Sequence, residues 1–139
     1  MNVYKILVRT EDNELRTVHP MIWNAPGINK IPKKDRRTQL CSPGLLHAYD
    51  ASKGLEMALY NDMVYHMEYT YVYLPTQFTN RWEVWLGEGT PVVEDERKVG
   101  FHEITLIEPV LTYKDIDPKV YICNYHKPNN LKGILKQCA

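Results

Sequence analysis

The sequence predicts an α+β domain built around a mostly antiparallel sheet of six or seven strands, with two short helices. Two observations support this class. Short runs rich in β-branched and aromatic residues recur along the chain, and turn-forming residues separate them. With 139 residues the chain has the length of one domain, so we expect residues 1–139 to form a single unit.

Composition and charge narrow the functional classes. The 17 Lys and Arg residues balance 17 Asp and Glu residues, whereas a general nucleic-acid binder needs a basic excess. No apolar run is long enough for a transmembrane helix, which argues against a membrane partner. The three cysteines include no CxxC pair, so neither a disulfide framework nor a zinc knuckle is indicated. These features favour a cytoplasmic protein with free thiols.

The N-terminal part of the chain predicts a hairpin followed by a loop. Val3–Arg9 is typical of a strand, residues 11–14 form a polar turn, and residues 15–23 predict the second strand. Two prolines and a glycine between residues 24 and 37 interrupt regular structure, so this stretch is predicted to be a loop.

A strand, a tight turn and a helix are predicted next. Residues 38–41 indicate a short buried strand, and Pro43 with Gly44 indicates the turn. Either Asp50 or Ser52 can cap the helix, which ends near Asn61.

Alternating side chains dominate the second half of the chain. Residues 63–74 show the clearest alternation and predict the strongest strand. A later strand places Trp82 and Val84 on one face, and Glu83 and Trp85 on the other. The remaining predicted elements are strands over residues 81–86, 99–110 and 119–125 and a short helix over residues 129–137.

Four pieces stand out between residues 3 and 110. They are Tyr4–Arg9, a Leu-Cys-x-x-Gly-Leu block within Leu40–Ala48, an aromatic-Glu-Val strand at Trp82–Glu88, and Glu96–Val99 leading to Leu106–Val110. In order and spacing they resemble a family of small uncharacterised domains from bacteria and their phages. An extra leucine before His47 departs from the family pattern. The resemblance implies the fold and a phage-type accessory role in the cytoplasm of a bacterial host.

A basic segment supports the favoured functional hypothesis. Five positive charges fall within eight residues, namely Lys30, Lys33, Lys34, Arg36 and Arg37. Such a cluster can engage an acidic partner and accelerate association. Tyr69, Tyr71 and Trp85 would be the anchors of the interface if they were exposed. We therefore predict a non-catalytic protein, without cofactor, that binds and occludes a host or defence protein.

An NAD-dependent enzyme is the first alternative. Residues 44–53, with Tyr60, are similar to the Gly-x-x-Tyr-Phe-Ala-Asp-x-x-Ser-Lys…Tyr segment of poly(ADP-ribose) polymerases. That resemblance implies NAD as cofactor, with His19 on the ribose, Tyr60 on the nicotinamide, and Glu103 or Glu83 stabilising the transition state. The family's His-Gly-Thr sequence is missing around His19, which Pro20 follows.

A small nucleic-acid-binding domain is the second alternative. Tyrosines alternate along residues 65–73, and a stripe of this kind can stack exposed bases, contact a protein partner, or face the core. The five histidines show none of the spacings typical of metal ligands, so no metal site is predicted.

Overall fold

The computed structural model describes residues 1–17, 21–40, 42–62 and 78–113, and for residues 78–81 and 113 the backbone alone. Nine strands lie in these ranges: β1 (Asn2–Thr10), β2 (Leu15–Arg16), β3 (Ile22–Trp23), β4 (Gly27–Lys30), β5 (Leu46–Asp50), β6 (Phe78–Glu88), β7 (Pro91–Glu94), β8 (Val99–Phe101) and β9 (Glu103–Tyr113). They are joined by one helix, α1 (Leu55–Asp62), and by 3-10 turns at Lys33–Asp35 and Ala51–Lys53. The predicted class, an α+β chain with a mostly antiparallel sheet, is confirmed, although the sheet has more strands than predicted.

Strand β1 organises the sheet, whose order is β4-β9-β6-β1-β5-β8-β7. One edge of β1 pairs with β6 along its whole length. The other edge is shared, because Val3 and Tyr4 pair with β5 while Val8 and Arg9 pair with β2. Only His102 separates β8 from β9. Since β8 pairs with β5 and β9 pairs with β6, the chain itself, and not strand pairing, links the two ends of the order β9-β6-β1-β5-β8 at His102, and we call these five strands the ring.

Two hydrophobic clusters pack on opposite faces of β1, because successive side chains of a strand point to opposite sides. The outer cluster lies between the sheet and α1 and contains Ile6, Val8, Tyr49, Ala58, Leu59, Trp82 and Val84. The inner cluster fills the ring and contains Val3, Leu7, Leu15, Trp23, Ile31, Leu46, Ala48, Trp85, Val99, Phe101, Ile104 and Leu106.

The N-terminal hairpin was predicted in part, and the two faces of β6 were predicted correctly. β1 and β2 pair antiparallel, which confirms a hairpin, but the single second strand predicted over residues 15–23 is wrong, because β2 and β3 within it pair antiparallel with each other. Trp82 and Val84 lie in the outer cluster and Trp85 in the inner cluster, as the period of two requires.

The prediction of a loop over residues 24–37 is wrong in part, because this stretch contains β4 and a 3-10 turn. The Asn29 side chain accepts from the Asn24 backbone N–H at 2.8 Å and donates to the Asn24 carbonyl at 3.0 Å. This closes a turn in which Pro26 precedes the strand. Pairing with β9 then fixes β4, a long-range contact that the local sequence does not reveal.

Other boundaries also differ from the predictions. Residues 38–40 form bends and a turn rather than a buried strand, and β5 lies further along the chain. The single strand predicted over residues 99–110 is divided at His102. Asp50 caps the 3-10 turn before α1, and its carboxylate accepts from the Ser52 N–H at 2.9 Å.

Three predicted elements, the strands over residues 63–74 and 119–125 and the helix over residues 129–137, lie outside the described residues. Within the described ranges, no helix combines the length and the apolar character needed to cross a membrane.

Candidate functional site

The basic segment, residues 30–37, forms an exposed ridge at the end of β4. Lys33 and Lys34 lie in the 3-10 turn that follows Pro32, where the Asp35 N–H donates to the Pro32 carbonyl at 2.9 Å. Lys33, Lys34 and Arg37 are exposed, whereas Arg36 is half-buried. Three of the four cations that the sequence analysis proposed as binding residues are therefore exposed to solvent.

Hydrogen bonds fasten this ridge to the rest of the protein. At the β8–β9 corner, the Ile31 N–H donates to the His102 carbonyl at 2.9 Å, and His102 Nε2 lies 2.8 Å from the Arg37 carbonyl. The Arg37 N–H donates to the Gly44 carbonyl at 3.0 Å. Arg36 Nε donates to the Ile31 carbonyl at 3.0 Å. The cations are thus presented on an ordered backbone, which lowers the entropy lost when a partner binds.

Gly44 allows the ridge to pack against the Pro-Gly turn. A Cβ at this position would lie 2.6 Å from both Arg37 Cβ and the Asp35 carbonyl oxygen. Real side chains do not approach so closely, so any other residue would displace the backbone of the basic segment.

The contact of His102 fixes its tautomer when the ring is neutral. A carbonyl oxygen can only accept a hydrogen bond, so in the neutral ring Nε2 carries the hydrogen and donates a hydrogen bond to the Arg37 carbonyl. The Nδ1 lone pair then remains as an acceptor. Sequence reasoning missed this role, because His102 lay inside a predicted strand and no spacing distinguished it.

A cleft of about 560 Å³ lies on one side of the ridge. It contains charges of both signs and is lined by Met1, Arg36, Glu88, Gly89, Thr90, Pro91, Val92, His102, Glu103 and Thr105. Lys30 Nζ lies 3.9 Å from Glu103 Oε1, and both side chains are exposed, so this ion pair adds little stability. Within the described part of the chain, Arg36 donates only through Nε, so both Nη groups are available to a ligand.

The basic segment also lines a second cleft, of about 490 Å³. Its lining mixes apolar and polar groups and consists of Ile31, Pro32, Asp35, Arg37, Gln39, Ser42, Pro43 and Gly44. Neighbouring residues of the basic segment therefore line different clefts, Arg36 the first and Arg37 the second.

Trp85 cannot act as an interface anchor. It is 5% exposed within the inner cluster, and its indole Nε1 donates to Glu83 at 3.1 Å. The anchor role required exposure, so we remove Trp85 from the predicted binding residues. Tyr69 and Tyr71 lie outside the described residues.

The residues predicted for an NAD site are not brought together where the structure describes them. Tyr60 packs on the outer cluster, whereas Glu103 lines the first cleft without Tyr60. His19 lies outside the described residues. Glu83 is 3% exposed, and each of its carboxylate oxygens accepts a 2.8 Å hydrogen bond from Arg9.

A buried polar cluster lies away from the ridge. Lys5 Nζ donates to the His47 carbonyl at 2.6 Å and lies 4.8 Å from the centre of the Trp23 ring. Burial lowers the pKa of Lys5 to about 8, and it raises the pKa of Asp62 to about 7. The opposite charges of these two groups limit both pKa shifts. A 3.0 Å hydrogen bond from the Tyr49 hydroxyl further limits the shift of Asp62, whereas the positive charge of Lys98 lowers the pKa of Lys5 further.

Comparisons of this chain with family models, curated proteins and solved structures find no match. Among the residues that the structure describes, no group of three or more His, Cys, Asp and Glu side chains is arranged to hold a metal ion.

Proposed function

We propose that this protein is a non-catalytic binding protein that uses the basic segment to engage an acidic surface of another protein. One observation carries the proposal: Lys33, Lys34 and Arg37 are exposed on a backbone that is fastened at both ends. Neither Lys33 nor Lys34 has an ion-pair partner among the described residues. Their charges are thus available to a partner.

Two features favour a protein over a nucleic acid as the partner. Glu88 and Glu103 line the cleft beside the ridge, and these carboxylates repel the uniform negative charge of a phosphate backbone, whereas a protein surface can place a cation against them. Ile28 is 51% exposed and lies on the same face of β4 as Lys30. An exposed aliphatic side chain beside cations suits an acidic protein surface that also carries apolar groups.

The mechanism would be occlusion of the partner's working surface. Exposed cations mainly accelerate encounter, because their long-range field steers an acidic partner before contact. The ordered ridge then fixes the orientation of the complex. The resemblance to small bacterial and phage domains suggests that the partner is a host or defence protein in the bacterial cytoplasm.

A capture experiment with matched variants tests this proposal. The wild type, the triple variant Lys33→Ala/Lys34→Ala/Arg37→Ala and the control Lys53→Ala/Arg97→Ala are incubated with bacterial lysate, with and without NAD. The control removes exposed cations that line neither cleft. We expect the wild type and the control to capture one stoichiometric protein that the triple variant loses.

Three outcomes would contradict the proposal. Equal capture by the triple variant would remove the role of the basic segment. Capture of nucleic acid, with binding that falls steeply with salt, would favour the nucleic-acid alternative. If the partner or this protein gained the mass of ADP-ribose only in the presence of NAD, the transferase alternative would be favoured.

A further inference from the structure

We infer that the first cleft binds a peptide segment in which an acidic side chain lies next to a basic one. This inference rests on the proposed function, because it names the part of the acidic partner that would be recognised. Arg36 would bind the carboxylate, and Glu88 with Glu103 would bind the neighbouring cation. Arg36 would then determine which ligand binds, whereas Lys33 and Lys34 would accelerate the approach of an acidic ligand.

Arg36 is suited to bind a carboxylate in a defined orientation. Its Nε is held by the Ile31 carbonyl at 3.0 Å, and the half-buried side chain lines the cleft. The two Nη groups have no other partner among the described residues. A guanidinium held at Nε is preorganised, so it loses little side-chain entropy when its Nη groups bind a carboxylate.

The negative charges of Glu88 and Glu103 in the same cleft determine which ligand group can lie next to the carboxylate that Arg36 binds. Glu88 is exposed and has no ion-pair partner within the described ranges, and Glu103 is only loosely paired with Lys30 at 3.9 Å. A ligand with consecutive negative charges would bring one of them against these carboxylates. A ligand of alternating charge would not.

The dimensions of the cleft suit a short peptide segment. Its volume of about 560 Å³ falls within the range of ordinary ligand sites, and it is lined by strand ends and by the β6–β7 turn. Thr90 and Thr105 add hydroxyl groups to the lining, which can bind the peptide backbone.

The experiment uses two fluorescein-labelled probes of equal length, acetyl-(Glu-Lys)3-amide and acetyl-(Glu)6-amide, and measures fluorescence polarisation. Four proteins are compared: the wild type, Arg36→Lys, Glu88→Gln and Lys33→Ala/Lys34→Ala. Lysine keeps the charge of Arg36 but loses the planar guanidinium. Far-UV circular dichroism checks that each variant is folded.

We expect the wild type to bind the alternating peptide more tightly than hexaglutamate. Arg36→Lys should weaken binding of the alternating peptide by about tenfold, as expected for the loss of charge-assisted hydrogen bonds. Glu88→Gln should weaken binding of the alternating peptide and strengthen binding of hexaglutamate. Lys33→Ala/Lys34→Ala should weaken binding of hexaglutamate more than binding of the alternating peptide, because the Glu and Lys charges of the alternating peptide cancel.

Tighter binding of hexaglutamate by the wild type, or an Arg36→Lys effect no larger than that of the lysine pair, would overturn the inference. Neither result would overturn the proposed function, because the capture experiment changes Lys33, Lys34 and Arg37 and leaves Arg36 in place. Equal capture of the partner by the wild type and the triple variant, together with the expected peptide binding, would instead contradict the proposed function alone.

Discussion

Lys5 and Lys33 carry the same ammonium group in opposite surroundings. Lys5 is 8% exposed, donates to a carbonyl inside the fold, and belongs to a cluster that includes Asp62 and Tyr49. Lys33 is exposed on the ridge without an ion-pair partner among the described residues. Buried charges therefore act on the stability of the fold, whereas exposed charges act on association with a partner.

The largest expected effect on the free energy of unfolding comes from changing the buried carboxylate of Glu83, and the exposed carboxylate of Glu103 serves for comparison. Glu83 accepts from Arg9 Nε, from Arg9 Nη2 and from the Trp85 indole, so Glu83→Ala removes three buried or half-buried hydrogen bonds and the carboxylate that faces the Arg9 guanidinium. We expect a loss of about 3–5 kcal/mol in the free energy of unfolding, measured by urea denaturation.

Glu103→Ala is the matched control for this change. Its only ion pair within the described part of the chain is the exposed 3.9 Å contact with Lys30, so the loss should stay below about 1 kcal/mol. Similar losses for the two variants would break the distinction between buried and exposed charges.

Gly44→Ala should affect both the stability of the fold and the binding of a partner. The added methyl group would meet the Asp35 carbonyl and the Arg37 side chain, so the ridge must move. We expect a loss of about 1–3 kcal/mol in the free energy of unfolding, as in overpacked sites, and weaker capture of the partner. Unchanged stability with unchanged capture would show that the packing of the ridge against the Pro-Gly turn is unimportant.

The buried pair should make stability depend on pH. The pKa of Asp62 is raised in the folded state, so the unfolding free energy should fall as pH rises from about 4 to about 7. The pKa of Lys5 is lowered, so the unfolding free energy should rise from about pH 8 to about pH 10. Each limb should amount to on the order of 3–4 kcal/mol in urea titrations.

Asp62→Asn tests the first limb of this pH profile. Asparagine keeps an acceptor for the Tyr49 hydroxyl but cannot ionise, so the fall between about pH 4 and pH 7 should disappear. A profile identical to that of the wild type would mean that other carboxyl groups produce the slope.

The smallest expected effect on stability is at the ridge. Lys33→Ala/Lys34→Ala should change the free energy of unfolding by less than about 0.5 kcal/mol, because both side chains are exposed. A larger loss in urea denaturation would show that these lysines stabilise the fold, and their effect on capture would need another explanation.

Local patterns in the sequence predicted some parts of the fold and not others. Alternation in β6 assigned Val84 and Trp85 to opposite faces, because a period of two is a local property. The same alternation does not tell which face is open to a partner, and Trp85 proved to be buried.

The geometry of the candidate site depends on contacts between residues that are far apart in the sequence. The composition of residues 30–37 identified the cations, but not the corner at His102 that fastens them, since the bonded residues are 65 positions apart. The meeting of Arg36 with Glu88 in one cleft likewise follows from the pairing of β4, β9 and β6. Such pairings leave no local signal.

The rate of association between this protein and its captured partner tests the central claim most directly. The account predicts that Lys33→Ala/Lys34→Ala/Arg37→Ala lowers the association rate constant about tenfold at low salt, reduces its salt dependence, and changes the dissociation rate constant much less. An unchanged association rate constant with the same salt dependence would contradict the role assigned to the basic segment.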